Sequence, residues 1–424
     1  GRTPPRIAMA GAAEQVLALA GKRYRDDPAA HPTYRPLRRL GPDDPLAKRA
    51  RAAIRQGVVP SFERLGVFLR DTYVPGCRTE LGASRSVDGP ELYRFRLRVE
   101  TTTGLGAKEV HELGRREVAR IRAEMMEVIA RSDFPRKGGL AGDELFAAFV
   151  DHLRTDPRFY HRSADELLQG YRDIAKRVDA ELPRLFGRLP RLTYGVRAMP
   201  DYLAPTAPTA YYYRGSLENG VPGYFVANTW RLDQRPRYEM IPLTLHEAAP
   251  GHHFQIALAQ EMDGVHEWRR HRGYTAFVEG WALYAERLGL EMGSGERGFY
   301  SDPYDDFGRL TYEMWRALRL VVDTGIHAFG WSRERAVETM LRNSALSREN
   351  IEREVNRSIV WPGQATAYKI GELKIRELRE RAERSLGDRF DRRAFHDHLL
   401  AEGALPLGLL EKRIDAWIAA RRAG

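Results

Sequence analysis

The sequence has almost no cysteine. Cys77 is the single cysteine among 424 residues, which excludes a disulfide within the chain and a metal site built from several thiolates. The chain also lacks a run of eighteen apolar residues, so we expect no membrane-spanning helix. The first six residues have no apolar core of a signal peptide. This absence favours a cytoplasmic protein, or an exported one if a signal segment has been removed.

A block of charge of one sign is absent as well. Lys+Arg 68 against Asp+Glu 58 give a formal net charge of +10. Basic and acidic residues are nevertheless interspersed, for example over residues 115–120 and 377–384. Such mixing is typical of solvated helix faces and not of a surface that binds nucleic acid. We therefore predict no nucleic-acid partner.

Most of the chain has the apolar periodicity of helices, as in the long amphipathic segment from Ala107 to Ala130. Residues 192–230 differ, because Tyr, Thr, Pro and Gly are abundant there, and they predict a small β-sheet. We predict a mainly α, two-lobed fold with a central cleft. Its parts are an N-terminal helical lobe, residues 1–191, and a catalytic lobe, residues 192–424, in one continuous structural unit.

Three histidines lie close together in His246-Glu-Ala-Ala-Pro-Gly-His-His-Phe-Gln255. Imidazole is the commonest zinc ligand, and an adjacent carboxylate can act as a general base. Zinc hydrolases commonly carry His-Glu-x-x-His, with both histidines on one helix face. His252 is six residues after His246, and His253 is seven residues after it. A regular helix turns a residue six positions on by about 240°, so His246 and His252 would diverge.

Pro250 and Gly251 offer a way around this spacing. Proline interrupts the helical hydrogen bonds, and glycine accepts unusual backbone dihedrals. A bulge at residues 249–251 that loops out two residues would bring His246 and His252 together. The alternative is a simple kink with solvated histidines.

The sequence supplies a third ligand at Glu279, within the helical segment from Tyr274 to Leu288. Its helix neighbours are mainly apolar or aromatic, so we expect a buried carboxylate, which needs a cation, a hydrogen-bond donor or a metal. Glu286 lies on nearly the same helix face and could support the metal ligands from behind. The alternative for Glu279 is an ion pair with an arginine.

A polar stripe follows Phe307 at helical spacing and comprises Tyr312, Arg316, Arg319, Asp323 and His327. Asp323 precedes His327 by four residues and could orient its imidazole towards a tetrahedral intermediate. The arginines could bind a substrate carboxylate. A solvated helix face explains the same pattern.

A Pro-Gly turn after Trp361 opens a further helix that carries Gln364, Tyr368 and Lys369. The hydroxyl of Tyr368 is a suitable donor to an oxyanion, although a packed aromatic side chain is the alternative. We expect Gln364 and Lys369 to contact the substrate. Residues Tyr224 to Asn228 could offer a strand edge to a peptide, but an ordinary hairpin is favoured.

Together these segments resemble the bacterial family catalogued as domain of unknown function 885, from about Ile54 to the C-terminus. The resemblance rests on four motifs in order: His246–Gln255, Phe277–Glu286, Arg316–His327 and Pro362–Gly371. Members of the family look like helical zinc metallopeptidases of the class that includes angiotensin-converting enzyme, thimet oligopeptidase and Taq-type carboxypeptidases.

The resemblance implies that His246, His252 and Glu279 bind Zn²⁺. It also implies that Glu247 is the general base and Tyr368 the oxyanion donor. The family departs from the broader class by two inserted residues in the His motif, which leaves His253 open as the ligand in place of His252.

We therefore predict a zinc-dependent hydrolase of peptide or other amide bonds, in which Glu247 takes the proton of a zinc-activated water. His327 or Tyr368 would stabilise the oxyanion, and short peptides or small amides would be the substrates. One alternative is an enzyme that uses the same residues on a small non-peptide metabolite. The other is a binding protein whose site is not catalytic.

Overall fold

The computed structural model describes residues 3–201, 203–205 and 207–423. They fold mainly into α-helices with one small β-sheet, which confirms the predicted class. None of the helices in these ranges has both the length and the apolar composition needed to cross a bilayer. The chain forms two compact units, Gly1–Val87 and Asp88–Gly424. The lobes predicted at residues 1–191 and 192–424 stay a prediction, and the compact units divide the chain at a different place.

The first unit has a small core of its own, made by Tyr24, Tyr34, Ala47, Ile54 and Val59. Its third helix begins where Asp44 accepts a hydrogen bond from the Leu46 backbone amide at 2.8 Å, as an N-cap residue does. The α-helices of this unit are α1 (Ala12–Ala18), α2 (Lys22–Asp26), α3 (Pro45–Ala53) and α4 (Val59–Phe68).

The second unit contains the sheet and the helices that carry the four sequence motifs. Its strands are β1 (Tyr194–Ala198), β2 (Ala210–Tyr213) and β3 (Gly223–Ala227). Its helices are α5 (Gly89–Thr101), α6 (Ala107–Arg131), α7 (Gly142–Thr155), α8 (Ala164–Leu185), α9 (Met240–Glu247), α10 (His252–Gln260), α11 (Glu267–His271), α12 (Thr275–Leu288), α13 (Pro303–His327), α14 (Arg333–Asn343), α15 (Arg348–Val360), α16 (Ala367–Leu386), α17 (Arg392–Leu400) and α18 (Leu407–Ala423).

Strand β3 is the central strand of the sheet. It pairs in parallel with β1, with Tyr194 opposite Gly223, and antiparallel with β2, with Ala210 opposite Ala227. Both of its edges are therefore occupied by neighbouring strands. The expectation that residues 224–228 offer a free edge to a peptide is wrong for this reason.

Helix α13 is buried along almost its whole length. It begins where Asp302 accepts a hydrogen bond from the Tyr304 amide at 2.8 Å, and Pro303 takes the first helical position. Since α6 packs against it, its polar side chains must find partners inside the protein. The reading of its polar stripe as a solvated face is therefore wrong.

Helices α12 and α16 approach each other closely through two glycines. A Cβ atom on Gly280 would lie 2.5 Å from the backbone of Gly371, and one on Gly371 would lie 1.8 Å from the carbonyl oxygen of Ala276. Neither position can carry a side chain at this separation. The contact brings the helix of Glu279 against the helix of Tyr368.

Candidate metal centre

The helix of the histidine motif is interrupted between α9 and α10, at the place where Pro250 and Gly251 predict a bulge. Ala248 leaves the helical region at φ −98° and ψ −128°, and Gly251 has φ −73° and ψ −127°. A Cβ atom on Gly251 would lie 2.0 Å from the carbonyl oxygen of His246. Glycine is thus needed because the loop folds directly onto the end of α9. The Trp281 indole donates to the carbonyl of Pro250 at 2.8 Å and ties this loop to α12.

The interruption brings two imidazoles and one carboxylate together. Nε2 of His246 lies 3.5 Å from Oε2 of Glu279, and Nε2 of His252 lies 3.4 Å from the same oxygen. The rings of His246 and His252 are 4.7 Å apart and nearly perpendicular, at 86°. One atom from each residue lies within 4.8 Å of the other two. Within the described ranges, this is the one such group of three potential ligands.

The two imidazole-to-carboxylate distances fit a small metal ion. Tetrahedral Zn²⁺ with bonds of about 2.0–2.2 Å places neighbouring ligand atoms about 3.3–3.6 Å apart. Both imidazole-to-carboxylate distances, 3.5 and 3.4 Å, agree with that separation. Oε2 of Glu279 is also buried and has no hydrogen-bond partner among the described residues. Two imidazoles and a carboxylate are the ligands that a catalytic zinc site uses.

Glu286 supports the outer side of His246. Its Oε1 lies 2.7 Å from Nδ1 of His246 and 3.2 Å from a guanidinium nitrogen of Arg316. A carboxylate on Nδ1 orients the ring so that Nε2 faces Glu279. Burial alone would lower the pKa of His246, but the nearby carboxylates of Glu279 and Glu286 outweigh it and raise this pKa to about 9. The surroundings of His246 therefore favour a positive charge.

His253 faces a different part of the protein. Its Nδ1 lies 3.1 Å from the hydroxyl of Tyr212, and its ring packs on Tyr194 at 4.5 Å. Burial lowers its pKa to about 4. The structure thus brings His252, and not His253, next to His246. Glu247 is buried at the last position of α9, directly after His246, and its role as a general base stays a prediction.

Tyr368 lies near Glu279 together with an arginine that the sequence did not single out. Burial and the charge of Glu279 both raise the pKa of Tyr368. A guanidinium nitrogen of Arg357 lies 3.3 Å from the Tyr368 hydroxyl and donates to Oε1 of Gln364 at 2.7 Å. Arg357 belongs to an amphipathic helix rich in arginine, so the sequence carried no signal that set it apart.

Asp323 and His327 have other partners than those expected. Asp323 accepts hydrogen bonds from the Tyr93 hydroxyl at 2.6 Å and from the backbone amide of Gly363 at 3.0 Å. It therefore holds the turn that precedes α16. His327 bonds through Nε2 to the carbonyl oxygen of Ser358 at 2.8 Å. His327 lies eleven residues after Arg316, the residue of α13 that contacts Glu286. This separation is about 16 Å along the helix axis.

The charged residues predicted to bind substrate are held in internal ion pairs. Arg319 pairs with both oxygens of Glu354, at 2.7 and 2.9 Å. Arg316 contacts Glu286, as described above. Lys369 is fully buried among three carboxylates, those of Glu117 at 3.0 Å and of Glu313 and Glu372 at 2.8 Å. Nε of Arg316 and one terminal nitrogen of Arg319 have no hydrogen-bond partner among the described residues, and the substrate-binding role of the three cations stays a prediction.

A cavity of about 410 Å³ reaches the candidate site at Glu279. Gln364 lines it, and so does Gln255 of the histidine motif; contact of Gln364 with a substrate stays a prediction. A further cavity of about 570 Å³ lies beside Arg158 and Tyr304. The first of these cavities has Glu279 in its wall, so a small molecule in it would lie beside one member of the cluster.

The fold and the site define a mainly helical protein with a His/His/Glu cluster whose glutamate lines a cavity. The chain belongs to the family described as "Bacterial protein of unknown function (DUF885)", which matches residues 1–414. The match begins at residue 1, earlier in the chain than Ile54, where we expected the resemblance to begin.

Two solved structures are similar over nearly the whole chain. The crystal structure of "the putative lipoprotein from Colwellia psychrerythraea" is 30% identical with a TM-score of 0.87, and the match covers 98% of this chain and 71% of that one. "A putative lipoprotein of unknown function from Shewanella oneidensis" is 19% identical with a TM-score of 0.73, covering 97% and 73%. The second likeness concerns the fold alone. No curated protein matches the sequence.

Proposed function

We propose that the protein is a metal-dependent hydrolase of peptide or other amide bonds, with Zn²⁺ held by His246, His252 and Glu279. The observation that carries this proposal is the convergence of two imidazole nitrogens on one buried carboxylate oxygen, at 3.5 and 3.4 Å, which has no hydrogen-bond partner among the described residues. When bound, Zn²⁺ would polarise the carbonyl of the substrate and lower the pKa of a water molecule. The remaining chemistry belongs to side chains.

Glu247 serves as the general base and then as the general acid. Its carboxylate accepts a proton from water and delivers it to the amine nitrogen that leaves. Glu286 keeps His246 oriented through the 2.7 Å contact at Nδ1. The Tyr368 hydroxyl donates to the oxygen of the substrate carbonyl, and Arg357 fixes the position of that hydroxyl from 3.3 Å.

The test separates metal binding from chemistry. Glu279→Ala should lose stoichiometric zinc, because it removes the carboxylate that both imidazoles face. Glu247→Gln should keep the zinc and lose turnover of a library of short peptides and small amides. His253→Asn is the matched control, because His253 contacts Tyr212 instead of the cluster, and it should keep both properties.

Two results would contradict the proposal in different ways. Full zinc content in Glu279→Ala, measured by elemental analysis after dialysis, would show that the ligand assignment is wrong. Unchanged activity in Glu247→Gln would show that Glu247 is not the general base, and it would favour a different reaction or a binding protein without catalysis.

The location of the protein is a second part of the proposal. Both solved relatives carry the name lipoprotein, which favours an exported or membrane-anchored protein over the expected cytoplasmic one. Cell fractionation with an antibody against the chain tests this. Recovery in the cytosolic fraction alone would contradict it.

A further inference from the structure

The cavity at Glu279 has more positive than negative charge on its wall. Arg214, Arg270 and Arg272 line it, and none of them pairs with a carboxylate among the described residues. Of its two acidic residues, Glu279 belongs to the candidate metal cluster. The other, Glu100, already accepts hydrogen bonds from Arg96 at 2.6 Å and from Thr275 at 2.8 Å. The arginines thus leave a positive potential beside the site.

Two polar side chains in the same wall each have a buried atom without a hydrogen-bond partner among the described residues. Nε of Arg270 and Oε1 of Gln255 are both buried and have no partner within the described part of the chain. A buried polar atom without a partner is costly. A donor and an acceptor of this kind, together in one cavity whose wall includes Glu279, indicate a site for a polar ligand.

The rest of the wall is apolar. Ile256, Tyr274, Val278 and Trp361 line the cavity beside the polar groups. A ligand that satisfies both parts of the wall carries an anionic group next to an apolar side chain. A ligand carboxylate suits Arg270, because a charge-assisted hydrogen bond to a guanidinium is stronger than one between neutral groups.

We infer that this cavity binds the free carboxylate of an N-acyl amino acid or a short peptide whose last residue is apolar. The inference rests on the proposed function and gives it a substrate class, with cleavage of the amide bond next to the C-terminal residue. Arg270 holds the carboxylate, with Arg214 and Arg272 close by. Gln255 accepts an N–H of the substrate through its side-chain oxygen.

The reaction is a hydrolysis and needs only water. Oxygen from water bonds to the carbonyl carbon, and the amide C–N bond breaks. One product is a carboxylic acid, and the other is the free C-terminal amino acid. The amine of that amino acid leaves with the proton that Glu247 has taken from the water.

The experiment compares N-acetylglycyl-phenylalanine with its C-terminal carboxamide on the zinc-loaded full chain. The free acid should have a kcat/KM at least about tenfold higher, because a charge-assisted hydrogen bond contributes that factor or more. Arg270→Gln should lower kcat/KM for the acid by about 10–100-fold and leave the carboxamide within about twofold. Arg115→Gln is the charge-matched control, since its side chain is 66% exposed on α6, and it should change neither value.

A binding measurement separates this inference from the hydrolase proposal. Calorimetry with the acid and the carboxamide on the zinc-loaded Glu247→Gln protein reports affinity without turnover. Tighter binding of the acid that is lost in the double variant with Arg270→Gln supports the cavity assignment, even if the wild type hydrolyses neither compound. In that case the hydrolase proposal fails alone.

Equal binding and equal turnover of the two compounds, unchanged by Arg270→Gln, would overturn the carboxylate assignment and leave the hydrolase proposal standing. If neither compound binds or reacts, the carboxylate assignment is overturned, and turnover of the peptide and amide library decides the hydrolase proposal. Should Arg270→Gln fail to fold, as circular dichroism would show, Arg272→Gln replaces it. Arg272 is exposed, so its variant should fold and weaken binding of the acid by about threefold through the loss of a screened charge.

Discussion

Replacing Glu286 by glutamine should weaken metal binding and destabilise the fold, and the two effects can be measured separately. The Glu286 carboxylate contacts His246 at 2.7 Å and Arg316 at 3.2 Å, and both of its partners are buried. Glutamine keeps the size and one acceptor but loses the charge. Removing a carboxylate that orients a ligand histidine lowers metal affinity by about 10–100-fold, which is about 1.4–2.8 kcal/mol. Leaving Arg316 without its buried partner costs about 3–5 kcal/mol of folding stability.

Glu354→Gln is a matched control within the same helical layer. Glu354 pairs with Arg319 at 2.7 and 2.9 Å, and both side chains are almost completely buried. Its loss should destabilise the fold by the same about 3–5 kcal/mol. Because Glu354 does not touch either histidine of the cluster in the described structure, zinc affinity should stay within about twofold of the wild type.

The assays are urea unfolding of chelator-treated protein and competition for zinc with a coloured chelator. Wild-type zinc affinity in Glu286→Gln would refute the supporting role of Glu286 at His246. An equal loss of affinity in both variants would show that the effect follows stability alone and not the contact with the histidine.

Two further predictions concern residues that hold the site in place. Gly251→Ala should abolish stoichiometric zinc binding and lower the free energy of unfolding by about 1–3 kcal/mol or more, because the new Cβ would meet the His246 carbonyl at 2.0 Å. Gly408→Ala, where the Cβ meets nothing within 4 Å, is the control, and retained zinc in Gly251→Ala would contradict the reasoning. Burial raises the pKa of Asp323 from 3.8 to about 7, although hydrogen bonds from Tyr93 and Gly363 oppose this and the charges of Glu354 and Glu100 add to it. The folded chain then keeps a proton that the unfolded chain releases, so stability should fall as pH rises from about 4 to 7, and Asp323→Asn should remove up to about 4 kcal/mol of that fall. Urea midpoints across this pH range test it, and an unchanged slope in the variant would count against a protonated Asp323.

Local chemistry made part of the site predictable. The six-residue spacing of His246 and His252 is incompatible with a regular helix, and the Pro-Gly pair between them offered a specific remedy, so the interruption of the helix could be inferred before any contact was known. Glu279 and Glu286 could be placed because a carboxylate on an otherwise apolar helix face needs a partner. Each of these inferences used only residues near one another in sequence.

The partners of long side chains could not be predicted in the same way. Arg319 and Lys369 were expected to meet a substrate because they are charged and share helix faces with other polar residues. Whether a guanidinium or ammonium group meets a ligand or a carboxylate depends on a helix from a distant part of the sequence, and periodicity carries no information about that helix. Glu354 and Glu117, which decide the matter, lie 35 and 252 residues away from Arg319 and Lys369, respectively.

Contacts between segments that are distant in sequence also explain why the family motifs contain residues that bind no ion. Gly280 and Gly371 belong to different motifs and touch each other, so they set the distance between Glu279 and Tyr368. Asp323 belongs to a third motif and holds the amide of Gly363 in the fourth, at 3.0 Å. Trp281 donates to the Pro250 carbonyl and connects the second motif to the first. These contacts fix where one motif lies against the next, and a substitution at such a residue should therefore act on the metal centre without contacting the metal.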